Sequence, residues 1–164
     1  MSEEVKQIVS KNIVFKTGDI FTTEQKAFGH GVNCYGLMDG GIARIVKNLY
    51  PAVFSPYEAM CNAGHLVGGE MFPVQIPNGP LIFNLASQER PGANASYEFL
   101  EGAVSKTFQF CAVNDISGFA LPRIGAGIGG LEWDRVVSII SKVAERYPNI
   151  TVELWSQPEH GSRK

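Results

Sequence analysis

Strands alternating with helices along 164 residues predict an α/β fold: a three-layer α/β/α sandwich, with helices on both faces of a mixed, six-stranded sheet. Three observations carry that prediction. Six short runs rich in apolar and β-branched residues are bounded by Gly, Pro, Asn or Asp. Between them lie segments whose apolar residues recur three and four positions apart. One apolar run, Gly118 to Leu121, passes straight into a glycine-rich loop and then an amphipathic helix.

In chain order, Asn12 to Lys16 reads as the first strand, stopped by Thr17-Gly18-Asp19-Ile20, with Val5 to Val9 as an earlier edge strand. Ala27 to Asn33 sets Phe28, His30 and Val32 against smaller residues, the period of a strand. A loop with three glycines, Cys34 to Gly41, leads to a helix over 42–50 with Ile42, Ile45, Val46 and Leu49 on one face, closed by Pro51. A second helix covers Ser55 to Ala63. Glu70 to Ile76 and Leu81 to Ala86 are strands joined by a Pro77-Asn78-Gly79-Pro80 turn. After a polar loop, Ser96 caps a helix that buries Leu100, Val104, Phe108 and Cys111. The helix over 132–147 turns Val136, Ile139, Ile140 and Val143 inward, and Ile150 to Trp155 is the last strand. The chain reads as one domain, core about 12–155, with a polar tail over 157–164.

Composition narrows the function classes. Hydrophobic residues are 45% and charged residues 18%, which suits a globular protein, and a formal net charge of −2 offers no broad grip on nucleic acid or membrane. Three widely spaced cysteines argue against a disulfide framework, and no Cys/His pair has zinc spacing, so neither a metal nor a cofactor is expected. No run approaches the roughly 18–20 apolar residues of a membrane span, and the acidic N-terminus lacks the order of a secretion signal. These features place the chain in the cytoplasm.

The chemistry concentrates in Pro122-Arg123-Ile124-Gly125-Ala126-Gly127-Ile128-Gly129-Gly130. Four glycines in six residues let consecutive N–H groups turn toward one point, and a helix start stands behind them. Such a nest cradles an anion, most often phosphate, although a glycine-rich turn that binds nothing has the same composition. Two other loops, at Gly18-Asp19-Ile20 and Asn33 to Gly41, also follow strands and are candidates to meet it in one cleft.

Together, Lys16-Thr17-Gly18-Asp19-Ile20, the run Gly31 to Ala43 and the run Leu121 to Trp133 resemble the macro domain, an ADP-ribose-binding α/β/α module. The resemblance implies that Asp19 accepts the adenine amino group with Ile20 nearby, and that Asn33 bonds the distal ribose. It places Gly40, Gly41 and Ile42 along the diphosphate and distal ribose, with Gly125, Ala126, Gly127, Ile128 and Gly129 around the phosphates. Trp155 is the candidate to cover adenine. Each has a plainer reading: Asp19 as a turn or cap residue, Asn33 as a backbone staple, Trp155 as edge packing.

Within the family, Phe83 to Arg90 and Pro122 to Gly125 are similar to the branch holding glycohydrolases of the DarG type and an ADP-ribose 1″-phosphate phosphatase. The chain departs from those glycohydrolases at two points. Their nucleophilic lysine falls on Gln88 or Glu89, and their partner aspartate on Gly129. The phosphatase-type pattern survives as His30-Gly31-Val32-Asn33-Cys34-Tyr35-Gly36, which makes His30 the candidate proton-transfer group and Asp39 a candidate to orient water. A buried, satisfied histidine is the alternative for His30. Cys34 has no visible base and reads as a small buried residue, and Arg90 as a solvated charge. The resemblance thus implies hydrolysis of ADP-ribose 1″-phosphate, with a non-catalytic reader of ADP-ribose or ADP-ribosylated targets, or a lysine-free de-ADP-ribosylating hydrolase, as alternatives.

Overall fold

The computed structural model describes residues 9–158. The Val5 to Val9 strand and the polar tail fall almost wholly outside them. The elements are β1 Ile13–Thr17, β2 Ala27–Gly31, α1 Gly41–Leu49, α2 Phe54–Asn62, β3 Met71–Gln75, β4 Leu81–Leu85, α3 Tyr97–Val113, β5 Gly118–Leu121, α4 Trp133–Ala144 and β6 Thr151–Ser156. One-turn 3-10 helices occupy Ile20–Thr22 and Pro51–Val53. Pro51 therefore does follow the end of α1, but it opens a turn that runs directly into α2 rather than a break.

The sheet runs β1-β6-β5-β2-β4-β3, with every neighbouring pair parallel except the antiparallel β3–β4 hairpin. Asn78 turns that hairpin with φ +56, the left-handed conformation asparagine tolerates better than most residues. The strand alternation sorts the core into two layers. On β4, Phe83 and Leu85 face α3 and α4, while Ile82 and the following Ala86 face α1 and α2. On β5, Phe119 and Leu121 face the first layer and Ala120 the second. Central strands covered on both faces must be apolar throughout, which is why Gly118 to Leu121 shows no alternation at all.

Helix positions follow from single residues. Ser96 Oγ accepts from Phe99 N at 3.0 Å and starts α3 as expected. Phe108 on α3 is fully buried, edge-on to Phe119 at 5.1 Å between centroids and stacked on Tyr147 at 5.5 Å. In α4, Val137 is buried and Ile139 only half-buried, a slightly rotated stripe, because the helix packs on the sheet and against α3 beside it. Asn12 ties the fold's edge together: its Nδ2 donates to the carbonyls of Ala144, Tyr147 and Ile150 at 3.1, 2.9 and 2.8 Å. Those oxygens end α4 and lead into β6. Asn12→Ala leaves them without this partner and is expected to cost about 2 kcal/mol, checked by urea unfolding, with ligand binding unchanged.

No helix among the described residues is long and apolar enough to cross a membrane.

Candidate functional site

Strands β1, β2, β4, β5 and β6 all point the same way, so their carboxyl ends deliver five loops to one side of the sheet. A cleft of about 600 Å³ opens there, in the size range of small-molecule sites. The three loops expected to converge do so, joined by the β4 loop through Ser87 and Gln88 and by the end of β6 through Trp155 and Gln157.

The glycine loop forms one wall, with Gly125, Gly127, Ile128 and Gly129 lining the cleft. Ala126 does not line it; its N–H donates to Arg123 O at 3.1 Å inside the loop. Leu131 N closes the loop onto Gly125 O at 2.9 Å, and Ala95 N reaches Gly129 O at 3.2 Å. Among the described residues, the N–H groups of Gly125, Gly127, Ile128 and Gly129 have no hydrogen-bond partner. Unpaired backbone donors beside a cleft are what an anion needs.

The start of α1 stands opposite, with Gly40, Gly41 and Ile42 in the lining. Gly40 is its N-cap and brings no capping side chain, so the first-turn N–H groups are left for a ligand. Gly41 holds φ +59, and a Cβ there would come within 2.8 Å of Ile128 Cδ1. The two walls are therefore close enough for Ile128 to lie across the helix start.

At the β6 side, Trp155 is half-buried in the lining, with its Cζ3 3.5 Å from where a Gly18 Cβ would be. Its Nε1 donates to Glu153 Oε1 at 2.9 Å, and Thr23 Oγ1 donates to the same oxygen at 2.7 Å, so the indole is fixed in orientation. Ile20 lines the cleft beside it; Asp19 does not. The Asp19 carboxylate is exposed and accepts from Phe21 N at 2.9 Å as the cap of the 3-10 turn. Its neighbours reach the cleft because the turn it caps aims them there.

Of the two expected site residues on β2 and its loop, Asn33 lines the cleft and His30 does not. His30 is fully buried and does not line the cleft. Its Nε2 lies 2.7 Å from Asn84 Oδ1, and Asn84 Nδ2 donates to Phe72 O at 3.0 Å, which makes Nε2 the protonated nitrogen. Burial pulls its pKa from 6.5 down to about 4, against the opposing hydrogen bond, so the ring is neutral at pH 7. Asn33 does line the cleft, but its side chain chiefly organises its own loop: Oδ1 accepts from Tyr35 N and from Tyr57 OH, and Nδ2 donates to Leu37 O at 2.9 Å. One Nδ2 hydrogen remains for a ligand. β2 itself ends at Gly31 rather than Asn33, although Val32 N still reaches Leu85 O at 2.8 Å. Asp39 is exposed and is the one acidic side chain in the lining among the described residues.

Beyond β4, Gln88 lines the cleft and Glu89 does not. Gln88 Nε2 donates to the carbonyls of Arg90 and Gly92 at 2.6 and 2.8 Å, which holds the loop against the cleft. Ser87 is buried, and its Oγ lies 2.7 Å from where a Gly31 Cβ would be, so Gly31 makes room for that hydroxyl at the cleft floor. Cys34 is half-buried with its thiol pushed up to about 12 by burial, which keeps it protonated. Arg123 also lines the cleft, a residue the sequence reading passed over inside the glycine motif. A lone cation at the end of a buried strand was the available signal. Among the described residues no three His, Cys, Asp or Glu side chains are grouped to hold a metal ion.

A family model described as the macro domain matches residues 30–140. The DNA ADP-ribosyl glycohydrolase of Mycobacterium tuberculosis is 28% identical over 154 residues, covering 92% of this chain and 44% of that protein. This chain thus spans less than half the length of that relative. The ADP-ribose glycohydrolase OARD1 of Bos taurus is 26% identical over 134 residues, 81% of this chain and 84% of that one. The solved macrodomain of Mycobacterium tuberculosis DarG superposes with a TM-score of 0.83 at 27% identity, covering 87% of this chain and 96% of that one.

Proposed function

The chain belongs to the macro domain family, and on that footing we propose that its cleft binds the ADP-ribosyl group. The observation that carries this is the set of unpaired N–H groups in the glycine loop, facing an uncapped helix start across a cleft that an oriented indole flanks. Sheet order supplies the direction. Trp155 on β6 takes adenine, the loop after β5 and the start of α1 take the diphosphate, and the β2 and β4 loops receive the distal ribose. Trp155→Ala is expected to weaken ADP-ribose binding about thirtyfold by calorimetry, the loss of one base–aromatic stack of about 2 kcal/mol.

A second reading adds turnover. It is favoured by Asp39, the cleft's acid on the loop where the distal ribose lies, and by relatives named as glycohydrolases. Asp39 would take a proton from water that attacks either the phosphorus of a 1″-phosphate, breaking its bond to the 1″-oxygen, or C1″ itself, breaking its bond to a protein or nucleic-acid group; the leaving group then takes the proton back from Asp39. Gln88 offers an amide where the covalent route needs an amine. Three free thiols suit a reducing cytoplasm.

Calorimetry with ADP-ribose tests the binding reading: absence of heat and of competition would sink it. Phosphorus NMR of ADP-ribose 1″-phosphate and release of ADP-ribose from modified DNA or protein test the second. Inorganic phosphate identifies a phosphatase and free ADP-ribose a de-ADP-ribosylating hydrolase; either should vanish in Asp39→Asn. Binding with neither product leaves a reader.

A further inference from the structure

Arg123 is the one cationic side chain in the cleft among the described residues, and neither wall described above uses it. It leaves the sheet just beyond Leu121 of β5, and its Nε donates to Ser156 Oγ at the end of β6 at 2.9 Å. Its guanidinium carbon stands 5.4 Å from the Trp133 ring centroid, so one edge and one face of the group are held. The terminal amino groups have no hydrogen-bond or ion-pair partner among the described residues; Asp134 lies nearby but outside ion-pair distance. A guanidinium fixed in place with its fork open is a preorganised phosphate ligand, because both N–H groups can meet two oxygens of one phosphate.

Its position selects which phosphate. It follows β5 directly, is tied to Ser156 at the end of β6 next to Trp155 in the chain, and precedes the glycine loop, on the β6 side of the cleft. The glycine loop offers partial charges only, so a full charge at this point changes what the site prefers. Resting on the ADP-ribosyl reading, we propose that Arg123 reads a phosphate ester of the adenosine unit, either its 5′-linked phosphate or a phosphate on its 2′-hydroxyl. The second source corresponds to ADP-ribosyl groups derived from a 2′-phosphorylated dinucleotide.

The test compares wild type and Arg123→Gln by calorimetry with ADP-ribose and with 2′-phospho-ADP-ribose, at two salt concentrations. A loss of about ten- to a hundredfold for ADP-ribose in the variant, with a shallower salt dependence, assigns the 5′-linked phosphate. A wild-type preference for the 2′-phosphorylated ligand that disappears in the variant assigns the 2′-phosphate. Arg123→Lys should keep only part of either effect, because a lysine has neither the fork nor the Nε–H that holds it to Ser156. Variant affinities and salt slopes equal to wild type for both ligands overturn the proposal while leaving ADP-ribose recognition intact. Failure of wild type to bind either ligand removes the ADP-ribosyl reading itself, and this one with it. An unchanged melting temperature in Arg123→Gln separates lost contacts from a displaced loop.

Discussion

Gly129→Ala is expected to lower affinity for ADP-ribose by about a hundredfold, measured by calorimetry, while the protein still unfolds cooperatively. A Cβ at this position would sit 2.7 Å from the Gly125 carbonyl oxygen and 2.8 Å from the Ala95 methyl. The first neighbour is backbone, and the second belongs to a segment bound to the loop through Ala95 N and Gly129 O. Neither can swing aside as a flexible side chain would. The loop must shift, and the unpaired N–H groups that line the cleft move with it. Misplacing two charge-assisted hydrogen bonds, each worth about 1.5 kcal/mol or more, gives the stated factor. Affinity equal to wild type would mean that these N–H groups do not hold the diphosphate. An aspartate at 129 would meet the same crowding, so the loop would have to be rebuilt to hold one.

Conformational stability is expected to fall as pH drops from about 6.5 toward 4, and His30 is the reason. In the unfolded chain this histidine takes up a proton near 6.5; in the fold burial holds the value at about 4. Between those values the unfolded state binds the extra proton and the native state does not. The stabilisation is therefore complete above 6.5 and is lost progressively on acidification until the folded value is reached. At full depth the loss is about 3 kcal/mol, the order of magnitude set by the size of the shift. Urea midpoints at pH 7.5 and 5.0 measure most of it. His30→Gln, which keeps a donor for Asn84, should flatten the difference. ADP-ribose affinity should not follow the same curve, because His30 does not line the cleft; an affinity that titrates with His30 would return it to the chemistry.

The contrast between these two residues shows where the sequence was informative. Glycines carry their meaning locally: a run with four of them after a buried strand needs no knowledge of distant contacts to suggest a backbone cradle. Gly118 to Leu121 was legible for the same reason, as an unbroken apolar run that ends in glycine. His30 was not. Its alternation with Phe28 and Val32 gave only the period of a strand and left it either a proton-transfer group or a buried histidine; β2 lies between β5 and β4 and both of its faces are covered. Burial of that kind depends on strand order, which a local pattern does not contain. Asn33 and Asp19 were placed in the loops at the cleft, and their hydrogen bonds follow the plainer readings named for them, a backbone staple and a turn cap, each drawn to a backbone N–H two residues on. Arg123 was hidden because its meaning depends on Ser156, more than thirty residues later.

The sheet order has a further consequence, for the time during which the chain is being made. β6, the last of the described strands in chain order, does not add to an edge; it pairs with β1 on one side and β5 on the other, Val152 opposite both Ile13 and Phe119. Until the ribosome has released the segment ending at Ser156, the first strand has no partner and β5 presents an open, wholly apolar flank. A nascent chain must keep that slot unoccupied by other strands, a slow, long-range closure of the kind chaperones guard. Trp155 and the hydroxyl that steadies Arg123 arrive with the same strand, so this side of the cleft comes into existence only when β6 docks.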